Sequence, residues 1–244
     1  MANEVLTDVV TDVVTDVVTD VVTDVVTEVV TDAIHLMSCA PRVLVIACGA
    51  LAREIAALRT ANEWPHLDVR CLPAELHNRP ERIPGAVRDA IRASRERYST
   101  IFVAYGDCGT GGALDDVLLE EQVERIPGAH CYEFFAGSDT FAALADEEPG
   151  TFYVTDFLLR HFDRLVIRGL GLDRHPELAD EYFRNYRRLV YLAQIDAPER
   201  ISAARAAAQR LGLAFEHRLT GYGALATSLQ ATIARIVNVP AWQS

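Results

Sequence analysis

The chain has 244 residues, half of them hydrophobic and 24% charged, with a formal net charge of −12. That length allows one or two domains with a substantial core, and the composition excludes a disordered or fibrous chain. The acidity is uneven. Eight acids and no base precede Arg42, and setting those aside leaves 27 of the 35 acids against 23 bases. The bases are arginines spread over mixed-charge helical segments, so no cationic stripe suits a nucleic-acid backbone. No basic segment leading into an apolar run opens the chain, and no stretch is long and apolar enough to span a bilayer. Five cysteines (39, 48, 71, 108 and 131) in such a chain read as reduced thiols, and the expected location is the cytoplasm.

Residues 7–32 repeat Thr-Asp-Val-Val, with one Glu at position 28. In a helix the Val pair would advance about 40° per repeat and wind round the rod. In a strand Val would fall on both faces. A four-residue period builds no solenoid unit, so residues 1–41 are expected to be a low-complexity tail and leader outside the functional domain.

From residue 42 the chain alternates short β-type runs with helical patterns, which predicts an α/β fold with a largely parallel sheet of Rossmann-like βα units. The expected strands are 43–47, 67–72, 100–105, 130–134, 164–168, 189–194 and 213–219. Helices are expected near 50–60, 84–97, 113–124, 138–146, 154–162, 176–187, 198–211 and 224–237. Pro84 and Pro176 suit first turns, and Gly212 suits a helix stop. The pattern of 43–105 recurs over 164–219. Two pseudo-repeated lobes, about 42–150 and 151–244, are therefore one architecture; a single doubly wound sheet is the other. In either, ligands bind outside the carboxyl ends of the strands where strand order reverses.

Three cysteines fall at those ends. The first expected strand runs into Cys48-Gly49, the third into Gly106-Asp107-Cys108-Gly109-Thr110-Gly111-Gly112, and the fourth contains Cys131 and Glu133. His77 follows the second strand. Three soft thiolates with an imidazole suit a tetrahedral zinc ion, with Cys48, Cys108 and Cys131 as core ligands and His77 or Glu133 completing the set. Three cysteines also suit an iron–sulfur cluster. Each cysteine taken alone reads as a small buried hydrophobe; their shared rim carries the argument. Cys71 reads as core and Cys39 as incidental. Gly106, Asp107, Gly109, Thr110, Gly111 and Gly112 also form a glycine-rich turn of the kind that approaches a phosphate, although no Lys follows as in a P-loop. Asp173 and His175, expected just past the fifth strand, form a candidate acid–base pair, with helix capping as the plain alternative.

These residues carry a resemblance. The stretches IACGAL (46–51), LHNRPERIP (76–84), YGDCGTGG (105–112), CYEFFAG (131–137), TDFLLRHFDRLV (155–166), GLGLDRHPEL (169–178) and YRRLVYLAQ (186–194) resemble an uncharacterised bacterial and archaeal domain-of-unknown-function family, serial 1638. The resemblance implies a genomic setting beside corrinoid-dependent methyltransferases. The leading expectation is a zinc-thiolate enzyme that transfers a methyl or other one-carbon group, with a small-molecule substrate and a corrinoid protein or methyltransferase as partner. The rival expectation is a non-catalytic carrier of a metal, corrinoid or nucleotide, and an iron–sulfur protein is the third.

Overall fold

The computed structural model describes residues 42–237. The Thr-Asp-Val-Val repeat and Cys39 lie outside them. No helix among the described residues is long and apolar enough to cross a membrane.

The first sheet contains β1 (Val43–Cys48), β2 (Leu67–Leu72), β3 (Thr100–Ala104) and β4 (Glu124–Arg125), all parallel in the order β2-β1-β3-β4. Every residue of β1 is buried, as expected of a near-continuous apolar strand covered on both faces. Its helices are α1 (Ala52–Ala61), α2 (Ile83–Arg92) and α3 (Ala113–Glu121). Pro84 sits in the first turn of α2, where its missing N–H costs no hydrogen bond.

The second sheet contains β5 (Thr151–Thr155), β6 (Arg188–Ala193) and β7 (Ala214–Leu219), also parallel, in the order β5-β6-β7. Between β5 and β6 lie α6 (Asp156–Arg160), a π-helical turn (Asp163–Ile167) and α7 (Leu178–Phe183); α8 (Pro198–Arg210) joins β6 to β7. Gly212, in the left-handed region, stops α8 as expected.

Two sheets thus replace one doubly wound sheet. They are not topological copies: strand order reverses between β1 and β3 in the first and runs in sequence in the second.

Three further helices join the lobes: α4 (Cys131–Ala136), α5 (Ser138–Glu147) and α9 (Gly223–Val237). In α4, Phe134 and Phe135 enter the core of the first sheet, while Tyr132 and Ala136 pack with Val190 and Leu192 of β6. The last helix returns to the first core through Leu225 and Leu229. Gly223 permits that return, because a Cβ there would stand 2.4 Å from the Phe135 carbonyl oxygen.

Two expected strands are overturned. Residues 130–134 begin α4: their aromatic content suits a strand, but spacings of three and four place side chains in two different cores, which a helix satisfies. Residues 164–168 form the π-helical turn, with Val166 and Ile167 buried in the second core and Arg164 outside. The fifth strand is Thr151–Thr155 instead, and part of the helix expected at 154–162 is therefore strand. Cys71 is exposed rather than core, because β2 is an edge strand with its central residues turned outward.

Candidate functional site

Strand order reverses between β1 and β3, and in open α/β sheets ligands bind at the carboxyl ends of the strands beside such a reversal. Cys48 is the last residue of β1 and is only 2% exposed. It caps the 3-10 turn that follows, Gly49–Leu51, and its Sγ accepts the Ala50 N–H at 3.4 Å. His77 arrives from the turn after β2, and its Nδ1 stands 3.6 Å from Cys48 Sγ.

Beyond β3 the chain passes through Tyr105 and Gly106. A side chain at Gly106 would meet the backbone nitrogen of His130 at 3.0 Å, so glycine lets two backbones touch here. The Asp107 N–H donates to Gly128 (3.0 Å) and the Cys108 N–H to Ala129 (2.8 Å). These bonds run residues 128–130 beside 106–108 and deliver Cys131 to the same rim at the start of α4. Cys108 adopts a left-handed φ of 51°, unusual for a residue with a side chain. Three of the expected cysteines therefore converge, the third from a helix rather than a strand.

Burial dominates the electrostatics of this group. It pushes the Cys48 thiol from 9.0 up to about 12, against the opposing pull of the Ala50 N–H, and a charge on Cys108 would push it further. Burial also raises Cys108, with the amides of Gly106 and Cys131 opposing. Cys131 lies well above its ordinary value through burial, then through the charges of Cys108 and Cys48. At neutral pH all three are thiols, and ionising one makes the next harder to ionise. No thiol is activated as a nucleophile by its surroundings, and a cation is what such a set needs to become thiolate. His77 is held below its ordinary value by burial, so it offers a neutral imidazole. Tyr105 is 1% exposed, and its buried hydroxyl faces the Cys48 sulfur.

The glycine-rich loop serves itself. Asp107 accepts from the Thr110 hydroxyl (2.6 Å) and from the N–H groups of Gly111 (3.2 Å) and Gly112 (2.9 Å). The Thr110 bond, then those amides, hold Asp107 down at about 2. The donors a phosphate would need are occupied by a carboxylate that repels it, and Gly109 packs toward Pro80. Glu133 is similarly committed, accepting from the Ala129 N–H (2.7 Å) and the Ser138 hydroxyl (2.6 Å). It ties the 128–130 segment to α5. Asp173 and His175 are both exposed, past the π-helical turn rather than past a strand, and His175 pairs with Glu177 at 3.3 Å.

The second sheet has its own strand-end cluster, which sequence reading missed. Asp156 begins α6 directly after β5 and is buried. It accepts from the Tyr191 hydroxyl (2.6 Å), the Gln194 amide (3.3 Å) and Arg200, while its own N–H donates to Gln194 Oε1 (2.8 Å). Thr155 caps the helix by accepting the Leu158 N–H. The signal was present: Thr-Phe-Tyr-Val-Thr after Pro149-Gly150 is a β-type run behind a turn, and Thr-Asp at its end is a helix cap.

The donor chemistry of the first rim fits zinc. From zinc–sulfur and zinc–nitrogen bonds of about 2.3 and 2.0 Å, the S-to-N edge of a tetrahedral site is about 3.5 Å, close to the observed 3.6 Å. Among the described residues, however, no three His, Cys, Asp or Glu side chains are already grouped to hold a metal ion.

Together these features define a class: a two-lobed parallel α/β protein with a cluster of buried thiols at the strand-order reversal of one lobe. Residues 71–229 match the family model described as Protein of unknown function (DUF1638), and the chain belongs to that family. No curated protein and no solved structure matches it.

Proposed function

We propose that this protein is a metal-dependent enzyme whose zinc ion is held by Cys48, Cys108 and Cys131, with His77 as a labile fourth ligand that a substrate thiol displaces. The observation that carries the reading is the Cys48–His77 pair, spaced like one edge of a tetrahedral site, with two further thiols on the same rim. Completing the site requires side-chain rotation of Cys108 and Cys131 toward that edge. The ion would supply Lewis acidity, making a substrate thiol available as thiolate for methyl or other one-carbon transfer. The chain's own groups then have distinct tasks. Cys48 fixes the ion at the end of β1, His77 holds the exchangeable position until substrate arrives, and the Tyr105 hydroxyl is placed to donate to the Cys48 sulfur once it carries charge. A cytoplasmic setting, with thiols kept reduced, and a corrinoid protein or methyltransferase as partner complete the reading.

Metal analysis of protein purified anaerobically without added metal tests this. The expected result is about one zinc per chain, lost in Cys48→Ala, Cys108→Ala and Cys131→Ala singly. Unchanged occupancy in all three variants rules the site out. Iron with a coloured chromophore would favour an iron–sulfur cluster instead. Zinc without turnover of thiol and methyl donor would favour a carrier.

A further inference from the structure

A second group of ionisable side chains lies where the lobes face each other, and it uses none of the thiols. The 3-10 turn after β1 packs against α6, which follows β5, so the carboxyl ends of two strands from different sheets oppose one another. Glu54, in the first turn of α1, points into this junction and is 5% exposed. Its Oε2 is buried without a hydrogen-bond partner. Such an orphan calls for a physical explanation, because buried polar groups are almost always hydrogen-bonded. Asp156 does not provide one, since that carboxylate is already bonded to Tyr191, Gln194 and Arg200. Burial holds the Glu54 carboxyl above its ordinary value, with Arg160, Asp156 and Arg53 acting on it. In its protonated form that orphan oxygen is an O–H donor.

Cations crowd the same junction. Arg53 of α1, Arg160 of α6 and Arg164 of the π-helical turn all bear on His161, whose proton affinity is lowered by burial first and then by these arginines. Arg164 is paired with Glu75 at 2.9 Å. Arg53 and Arg160 instead oppose each other: burial, then Arg53, holds the Arg160 guanidinium below its ordinary value. Two like charges brought together from two lobes, beside a buried carboxyl with an unpartnered oxygen, are placed for an anion to bridge them.

We infer that the junction binds a small molecule through an anionic carboxylate or phosphate group, held by Arg53 and Arg160 with Glu54 donating a hydrogen bond to it. The site is independent of the metal reading, since no thiol takes part.

Isothermal titration calorimetry on the full chain tests this with two probes, inorganic phosphate and succinate, which separate the two anion chemistries. Binding of at least one probe is expected at millimolar or tighter Kd, with about tenfold weaker binding in Arg53→Gln and in Arg160→Gln. Glu54→Gln keeps a donor and should bind within about threefold of wild type. Cys48→Ala, which abolishes the proposed metal site, should leave anion binding unchanged. The arginine changes are at exposed positions and leave a folded protein to measure. Failure of both probes to bind up to about 10 mM, or binding indifferent to both arginine changes, overturns the inference.

Discussion

The two lobes are built from the same parts and put to opposite uses. In the first, strand order reverses beside β1, and the strand ends collect Cys48, Cys108, Cys131 and His77, groups that are neutral and poorly bonded. In the second, order never reverses, and the strand-end acid Asp156 is tied by three donors. A side chain bonded on all sides holds a shape; one left with unused valence is available for chemistry. The contrast assigns stability to the second rim and reactivity to the first.

The sharpest way to break that contrast is Asp156→Ala. It leaves the Tyr191 hydroxyl and the Gln194 amide buried without their acceptor and Arg200 without its partner, so a loss of about 3–5 kcal/mol is expected in denaturant unfolding. The milder Asp156→Asn should lose less, and zinc content in its folded fraction should stay at the wild-type level. Equal loss of metal and of stability in Asp156→Asn would make the two rims one unit. The reciprocal change is Gly106→Ala, which pushes the 129–130 backbone away and carries Cys131 with it. A cost of about 1–3 kcal/mol is expected, with zinc occupancy falling more steeply than in Asp156→Asn.

The smallest effect is a pH slope. Folding raises Cys48 from 9.0 to about 12, so its contribution to stability is complete below pH 9 and is lost as pH rises through that window. Metal-free protein should therefore lose stability on going from pH 9 to 11. Cys48→Ala should flatten the slope, and an unchanged slope would mean the thiol is not buried as described.

Much of the first lobe was legible in its sequence. Its three long strands are runs of apolar or alternating residues bounded by turns, and the cysteines could be placed because they end such runs. Cys131 reached the correct rim for an incorrect reason. Its position comes from the pairing of residues 128–129 with 107–108, a long-range match that local pattern does not report. The α4 segment misled because its aromatic residues serve two cores at once. The second rim was hidden by one error: with 164–168 taken as the strand, Asp156 fell inside a helix and lost its strand-end meaning. The Glu54–Arg53–Arg160 junction was beyond sequence reading altogether, because it exists only where two lobes meet.

The return of α9 to the first core has a consequence for how the chain is made. Leu225, Leu229 and Ile233 belong to the apolar cluster that also holds β1 and β3. During synthesis the first four strands emerge early but must wait, one flank uncovered, until the last described helix leaves the ribosome. The second sheet, complete at Leu219, can close before the first. A nascent chain halted near residue 220 should accordingly present a sticky first lobe beside a finished second one, and that interval is when a holdase chaperone would have most to bind.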